Sequence, residues 1–218
     1  MEKVRLAALS IAAAIVFTTS VTGGLLPAGA LSGWDSKTES FELKNSAQTK
    51  TLKGTIEYAV YDTDDYNTIA GTSFDSGLGA YLYAYIVSND VGSNLAFEKF
   101  SMAIDDGMTV GQIDRDSFGL TGGVNPTYQY WNASSNPDSG IFLYMPLSFF
   151  GSEGMIDPGE NSAILLFTSD DSPGPGYGSI EGGSLAGVVE NIVAPAPEPA
   201  TIAMLGLGGL ALVRNKRK

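Results

Sequence analysis

The sequence predicts an all-β protein: a single β-sandwich of the jelly-roll or immunoglobulin-like type, flanked by an N-terminal signal helix and a short C-terminal transmembrane helix. Short segments rich in aromatic and aliphatic residues fill the middle of the chain, with Gly, Asn, Asp, Ser or Pro between them. No long stretch of helical periodicity separates these segments. Both ends combine an apolar run with basic residues. The predicted divisions are 1–30, 31–193 and 194–218.

Six segments of the central region have the composition of β-strands, and a further edge strand is predicted around FEL at 41–43. The six are GTIEYAVYD at 54–62, AYLYAYIV at 80–87, LAFEKFSMAI at 95–104, TYQYW at 127–131, GIFLYM at 140–145 and AILLF at 163–167. The last is continuously apolar, which predicts a strand buried on both faces. Several short strands joined by turns favour a sandwich over an α/β sheet.

The composition limits the chemistry of the chain. Its 218 residues include no cysteine and no histidine. Disulfides, thiolate or imidazole nucleophiles and the usual zinc sites are therefore excluded. Catalysis would have to rest on carboxylates, hydroxyls, Lys or Tyr, and we find no catalytic motif and predict no catalytic residue.

The N-terminal 30 residues have the order of an export signal. Lys3 and Arg5 precede an apolar core at 6–17, which is too short for an ordinary membrane span. Small residues suited to cleavage follow this core. They are Ala28 with Ala30, and as an alternative pair Val21 with Gly23. The competing interpretation is a buried N-terminal helix that is never removed.

The charge is distributed unevenly along the chain. Residues 31–193 contain six basic and twenty-two acidic side chains, a net charge of −16, and the six remaining basic residues lie at the two ends. Such a domain repels phosphate backbones and anionic headgroups. We therefore expect no nucleic-acid partner and no membrane-surface binding by the folded part.

The C-terminal segment has three parts. Residues 194–197 (APAP) predict a stiff extended spacer. The apolar run at 200–213 would form a helix about 21 Å long, against a hydrocarbon core of about 30 Å, so its span is marginal. The basic residues after it are expected to stay cytoplasmic. They are Arg214, Lys216, Arg217 and Lys218.

The triplet Pro197, Glu198 and Pro199, followed by a short apolar run and a basic end, resembles the PEP-CTERM sorting signal of exported Gram-negative proteins. The resemblance implies that these three residues are recognised by an exosortase-type processing enzyme. It also implies a precursor held in the inner membrane by its tail and then delivered to the cell surface or extracellular matrix of a bacterium that makes exopolysaccharide. A permanent, unprocessed anchor is the alternative.

Residues 156–183 resemble the last part of many passenger domains of that family, in which a Pro-Gly-Glu turn precedes a buried strand, a loop and a final Gly-rich strand. Pro158 and Gly159 suit a type II turn on their own chemistry. The resemblance implies a sandwich and no particular activity.

Three features of the central domain are candidates for chemistry. An acidic cluster offers oxygen ligands for calcium, although a solvated turn between strands explains it as well. Its members are Asp62, Asp64, Asp65 and Asn67. Period-2 alternation places Tyr81, Tyr83 and Tyr85 on one strand face, where they would either bind carbohydrate or pack inside the sandwich. Tyr128, Tyr130 and Trp131 are further aromatic candidates.

Paired carboxylates are the third feature, since they can hydrolyse glycosides without His or Cys, but no pair stands out by sequence. The expected function is a non-enzymatic structural or adhesive protein of the cell envelope or polysaccharide matrix, with exopolysaccharide as a possible partner and no cofactor except, as an option, calcium. The alternatives are a carbohydrate-binding module that uses the Tyr81 stripe and a carboxylate-based glycoside hydrolase.

Overall fold

The computed structural model describes residues 24–104, 108, 110–116, 118, 123–132, 138–145 and 154–196. Within these ranges, ten strands form two antiparallel five-stranded sheets. In chain order the strands are β1 (Lys37–Lys44), β2 (Thr51–Asp62), β3 (Tyr81–Asn89), β4 (Lys99–Ile104), β5 (Ile113–Asp116), β6 (Tyr128–Asn132), β7 (Asp138–Leu143), β8 (Ile164–Ser169), β9 (Pro173–Gly182) and β10 (Leu185–Pro195).

The first sheet has the order β1-β2-β3-β8-β5 and the second the order β10-β9-β4-β7-β6. The prediction of an all-β sandwich is confirmed at this level, and each of the six predicted strand segments contains a strand. The edge strand predicted around 41–43 is β1, which pairs with β2 alone. Among the described residues no helix is long and apolar enough for a membrane span, and the apolar run at 200–213 lies outside them.

The main core lies between the two sheets. Aromatic rings from the two sheets meet there, since Tyr85 of the first sheet contacts Phe100 of the second at 5.5 Å between centroids. Within the second sheet, Phe100 stacks on Phe142 at 6.3 Å. Within the first sheet, Tyr83 stacks on Phe167 at 4.9 Å. Such ring pairs stabilise by about 0.5–1.5 kcal/mol beyond the burial of their area. Large aromatic side chains are what hold the sheets together.

The outer face of the first sheet is also covered. Leu82, Ala84 and Ile86 of β3 point away from the main core and form a second buried cluster with Tyr66 and Leu26. Tyr66 belongs to a short helix, α1 (Thr63–Ala70), and Leu26 to the segment that precedes β1. All six residues of β8 are consequently buried, which confirms the prediction that AILLF is buried on both faces.

The acidic cluster lies at the start of helix α1. The expectation that it forms a solvated turn between strands is therefore wrong. The Asp62 carboxylate accepts hydrogen bonds from the N–H groups of Asp64 and Asp65, which caps the helix. Two acidic residues in the first turn also lie favourably near the positive end of the helix dipole. Gly71 ends the helix in a left-handed conformation, with φ of 68°.

The predicted turn at Pro158 and Gly159 is confirmed. The Glu160 N–H donates to the Asp157 carbonyl at 3.0 Å, and Gly159 has a φ of 94°, as the third position of a type II turn requires. The sequence predicted neither β5 nor β10. Strand β10 continues to Pro195, so residues 194 and 195, predicted as spacer, belong to the sheet.

Pro195 is compatible with this strand because β10 is an edge strand that pairs with β9 alone. Because Ala196 bonds to Ser172 and hydrogen-bonded pairs alternate along antiparallel strands, the Pro195 nitrogen points away from β9, and the proline removes no hydrogen bond between strands. A pattern of alternating proline and alanine predicts extended backbone, and it does not distinguish a free spacer from a paired edge.

Candidate functional site

The junction between the folded domain and the C-terminal tail lies at the end of β10. The last residues of this strand are buried: Ile192, Val193 and Ala194 are at most 2 % exposed. One residue beyond the strand, the Ala196 N–H donates to the Ser172 carbonyl at 2.9 Å. The chain is thus held by backbone hydrogen bonds up to the residue that precedes the predicted sorting triplet.

Glycines on β9 make room for the end of β10. An added Cβ at Gly176 would lie 2.5 Å from the Cβ of Ala194, and one at Gly174 would collide with the Cβ of Ala196. These glycines occupy alternate positions of the sequence PGPGYG, so their bare backbone faces the same side of the strand. The glycine-rich composition of β9 therefore serves close packing of the terminal strand.

Two tyrosine hydroxyls from the first sheet hold β10 across the core. Tyr85 donates to the Val193 carbonyl at 2.6 Å, and Tyr58 donates to the Asn191 carbonyl at 2.8 Å. Asn191 lies at a bulge in the pairing of β10 with β9 and has a φ of 62°, which asparagine tolerates better than most residues. The bulge turns its carbonyl toward the opposite sheet, where Tyr58 satisfies it.

The sorting triplet itself and the basic end lie outside the described residues. These are Pro197, Glu198 and Pro199, with Arg214, Lys216, Arg217 and Lys218. The structure therefore positions the start of the tail and leaves those seven assignments as sequence predictions.

The hypothesis that Tyr81, Tyr83 and Tyr85 form an exposed carbohydrate platform is wrong. Tyr83 and Tyr85 are completely buried, and Tyr81 is partly buried against the same core. The predicted alternation is correct, but the face of β3 that carries these tyrosines points into the main core, where Tyr83 and Tyr85 stack on Phe167. Burial raises the pKa of Tyr83 and of Tyr85 well above the ordinary value near 10.

The acidic cluster is engaged by the protein itself. Asp62 caps α1, and the Asn67 side-chain oxygen accepts hydrogen bonds from the Thr72 hydroxyl and the Phe74 N–H. In the part of the chain that the structure describes, no group of three acidic residues is arranged to hold a metal ion. Calcium binding stays a prediction for Asp62, Asp64, Asp65 and Asn67. To bind the ion, the Asp62 carboxylate would have to give up its hydrogen bonds to the backbone of α1.

The described surface includes a shallow groove of about 460 Å³ on the β9–β10 hairpin. Its lining comprises Pro175, Gly176, Tyr177, Val188, Glu190 and Asn191. It holds one carboxylate, whereas glycoside hydrolysis needs two that face each other about 5–10 Å apart. This groove does not supply the acid pair that the hydrolase alternative requires.

The two residues predicted to flank signal cleavage, Ala28 and Ala30, lie in a segment that contacts the first sheet. Ala28 is exposed, Ala30 is partly buried, and the N–H of Leu31 donates to the Val60 carbonyl at 2.8 Å. A residue of β2, Glu57, also binds this segment, and sequence reasoning did not identify it. The one available signal was that Glu57 is the only acidic residue between Gly54 and Tyr61.

The comparisons with known proteins agree with the position of the junction. Residues 195–218 match the family model of the PEP-CTERM protein-sorting motif. No curated protein and no solved structure matches the chain. The matched segment starts at the last residue of β10, where the described fold ends. The chain therefore carries a PEP-CTERM protein-sorting motif, and it is an exported protein with a C-terminal tail for processing by an exosortase-type enzyme.

Proposed function

We propose that the protein is a non-enzymatic structural or adhesive component of the cell envelope or the extracellular polysaccharide matrix. The N-terminal signal, with its basic residues Lys3 and Arg5 and its apolar core at 6–17, directs export. The tail then holds the precursor in the inner membrane, through the apolar run at 200–213, until the processing enzyme acts at Pro197, Glu198 and Pro199.

One observation supports this proposal: every strand in the described residues precedes the sorting triplet. All ten described strands lie between residues 37 and 195, and the last backbone hydrogen bond of the C-terminal junction is made by Ala196. Removal of everything after Ala196 would leave both sheets and the core between them intact. A tail that follows the last described strand suits a segment that is held briefly and then cut.

The net charge of −16 between residues 31 and 193 supports a matrix role. A strongly acidic domain stays soluble and repels anionic headgroups, so that a released domain would not bind back to the membrane surface. Neutral polysaccharide, or an acidic one bridged by cations, is the compatible environment.

The tail is tested by mass spectrometry of the full-length chain produced in an exosortase-containing host and in a matched host without the enzyme. We expect a mature C-terminus upstream of residue 200 in the first host only. Glu198→Ala should retain Lys218 and fractionate with membranes. Glu190→Ala, an exposed change on β10, is the control and should be processed normally. Extracellular protein that still ends in Lys218 would contradict the proposal.

A specific surface favours adhesion over a purely structural role. Tyr128 and Tyr130 on β6 are each 42 % exposed, and Tyr177 on β9 is 41 % exposed. We call these three residues the tyrosine face. They lie on the outer side of the second sheet, which no described segment covers in the way that α1 covers the first sheet.

Strand register places the three rings on the same side of the second sheet. Tyr130 is paired with Ile141, Ile141 with Ser101, and Ser101 with Ser179, which is two residues from Tyr177. Between the rings, the buried Ser101 hydroxyl and the Ser179 hydroxyl are hydrogen-bonded to each other at 2.6 Å. The exposed aromatic rings suit the apolar faces of neutral sugars.

Affinity electrophoresis in gels that contain neutral polysaccharide tests this second function. The double variant Tyr128→Ala/Tyr130→Ala should lose retardation by the polysaccharide, and Tyr177→Ala should weaken it. Leu78→Ala is the control, because this exposed residue lies beside the first sheet. Equal retardation of the double variant and the wild type would remove the adhesive role without affecting the sorting proposal.

A further inference from the structure

Residues 24–36 form an integral layer of the sandwich, although the first seven of them fall within the predicted signal. Leu26 is buried in the cluster that covers the outer face of the first sheet. The Leu31 N–H donates to the Val60 carbonyl, and the Val60 N–H donates to the Trp34 carbonyl at 3.3 Å. The segment therefore extends the backbone hydrogen bonding along the edge of β2 that faces away from β3.

The Glu57 carboxylate is the centre of this contact. It is 7 % exposed and accepts hydrogen bonds from two consecutive backbone N–H groups, Leu25 at 2.8 Å and Leu26 at 3.0 Å. The Ser36 hydroxyl donates to the same carboxylate. A buried carboxylate needs such donors, because an ionised group without them is strongly destabilised.

Gly24 lies directly against this carboxylate. A Cβ added at Gly24 would collide with the Glu57 Oε1 atom and with the Ser36 hydroxyl. The next anchor along the segment is Pro27, whose carbonyl accepts a hydrogen bond of 2.6 Å from the buried Tyr61 hydroxyl. A cut after Ala30 would remove Leu25, Leu26 and Pro27 together, and with them two donors to Glu57 and the acceptor of Tyr61.

We propose that export cleavage occurs between Gly23 and Gly24, so that the mature chain begins at Gly24 and its new α-ammonium group lies beside the Glu57 carboxylate. Val21 and Gly23 then stand at the −3 and −1 positions, where small residues are required. The ammonium group is charged at neutral pH and is attracted by the carboxylate. Glu57 becomes a binding site for the chain's own N-terminus.

This inference rests on the export step of the proposed function. It is tested by producing the full-length chain in a Gram-negative host and determining the N-terminus of the exported protein by mass spectrometry. We expect Gly24. An N-terminus at Leu31 would overturn the inference and leave export intact, whereas an intracellular chain that keeps its signal would overturn export, and the inference with it.

Two matched variants separate the cleavage sites. Ala30→Leu removes the small residue needed for a cut before Leu31, and we expect it to leave the mature N-terminus and the yield unchanged. Gly23→Leu should instead accumulate precursor or shift the cut. The opposite pattern, with Ala30→Leu blocked and Gly23→Leu processed normally, would overturn the inference.

A stability measurement gives an independent readout on the exported protein. Glu57→Gln replaces one acceptor oxygen by an N–H₂ group and removes the negative charge, so we expect a clear fall in the urea midpoint. Glu42→Gln on β1, whose carboxylate forms a partly exposed ion pair with Lys44, is the control and should change the midpoint little. Equal midpoints for the two variants would show that Glu57 has no N-terminal partner in the mature protein.

Discussion

The hydroxyl of Tyr85 donates a hydrogen bond of 2.6 Å to the carbonyl of Val193, and the two residues are 108 positions apart. Val193 faces Pro175, and this pair exchanges no backbone hydrogen bonds, because the Ala196 N–H bonds to Ser172 and hydrogen-bonded pairs alternate along antiparallel strands. The Val193 carbonyl therefore points away from β9, and the Tyr85 hydroxyl satisfies it. This one contact joins the centre of the first sheet to the terminal strand of the second.

Tyr85→Phe keeps the ring and removes this hydrogen bond. We expect the free energy of unfolding to fall by about 1–3 kcal/mol, because the Val193 carbonyl stays buried without its donor. Urea denaturation measures the change. Tyr177→Phe, at an exposed position, should alter stability by less than about 0.5 kcal/mol. Similar losses in both variants would mean that the cross-core hydrogen bond contributes nothing specific.

Alkaline pH should destabilise the protein through its buried tyrosines. Burial, and secondarily the charge of Glu39, raises the pKa of Tyr58 to about 12. Burial also raises the pKa of Tyr61, Tyr66 and Tyr83 well above the ordinary value. The unfolded chain then loses its phenol protons first. Stability is fully present below about pH 10 and falls as the pH rises above it.

Urea midpoints measured between about pH 8 and pH 11 check this expectation. Tyr58→Phe removes one of the titrating groups, so its midpoint should fall less steeply above pH 10. A midpoint that stays constant to pH 11 would show that the phenols ionise in the folded protein as readily as in the unfolded chain.

Gly176→Ala should loosen the terminal strand. The new Cβ would lie 2.5 Å from the Cβ of Ala194, and we expect a loss of about 1–3 kcal/mol from overpacking. Gly140→Ala is a matched control on β7, since its Cβ would meet the Ile113 side chain at an ordinary 3.6 Å. Urea denaturation measures both losses. A clearly larger loss for Gly176→Ala would show that β9 needs glycine for packing, and equal losses would show that it only tolerates glycine.

Asp62→Ala should remove the cap of α1. Typical capping energies predict a loss of about 1 kcal/mol, while Asp64→Asn in the first turn should lose only a few tenths. Thermal melts with and without excess calcium test the metal hypothesis on the same proteins. A calcium-dependent rise in the melting temperature of the wild type that Asp62→Ala lacks would support a calcium site, and identical melts would dispose of it.

Much of the fold could be predicted because strand composition and turn chemistry are local properties. The continuous apolar run AILLF predicts a strand buried on both faces, and the Pro158–Gly159 pair predicts a type II turn from its own conformational preferences. The face that β3 turns toward the core was not predictable in this way. Both faces of β3 are apolar enough for burial. Both are buried because Leu26 and α1 cover the outer face of the first sheet, and this contact is not visible in the sequence of β3.

Long-range contacts account for the rest of the differences. The roles of Glu57 and Tyr85 depend on partners 31 and 108 residues away, and no spacing rule joins such positions. The short helix α1 escaped prediction because eight residues are too few to establish a helical period. The sorting tail was the opposite case, since its three parts are adjacent and follow a fixed order at one end of the chain.

The anchored end of β10 also determines what happens to a freshly exposed C-terminus. Exopeptidases need several residues of unpaired, extended chain, and the backbone inward from Ala196 is fixed in hydrogen bonds to Ser172 and to β9. Exopeptidase trimming of a cut tail would therefore stop near Ala196. The processed protein would therefore reach one uniform length even if the first cut were made at variable points.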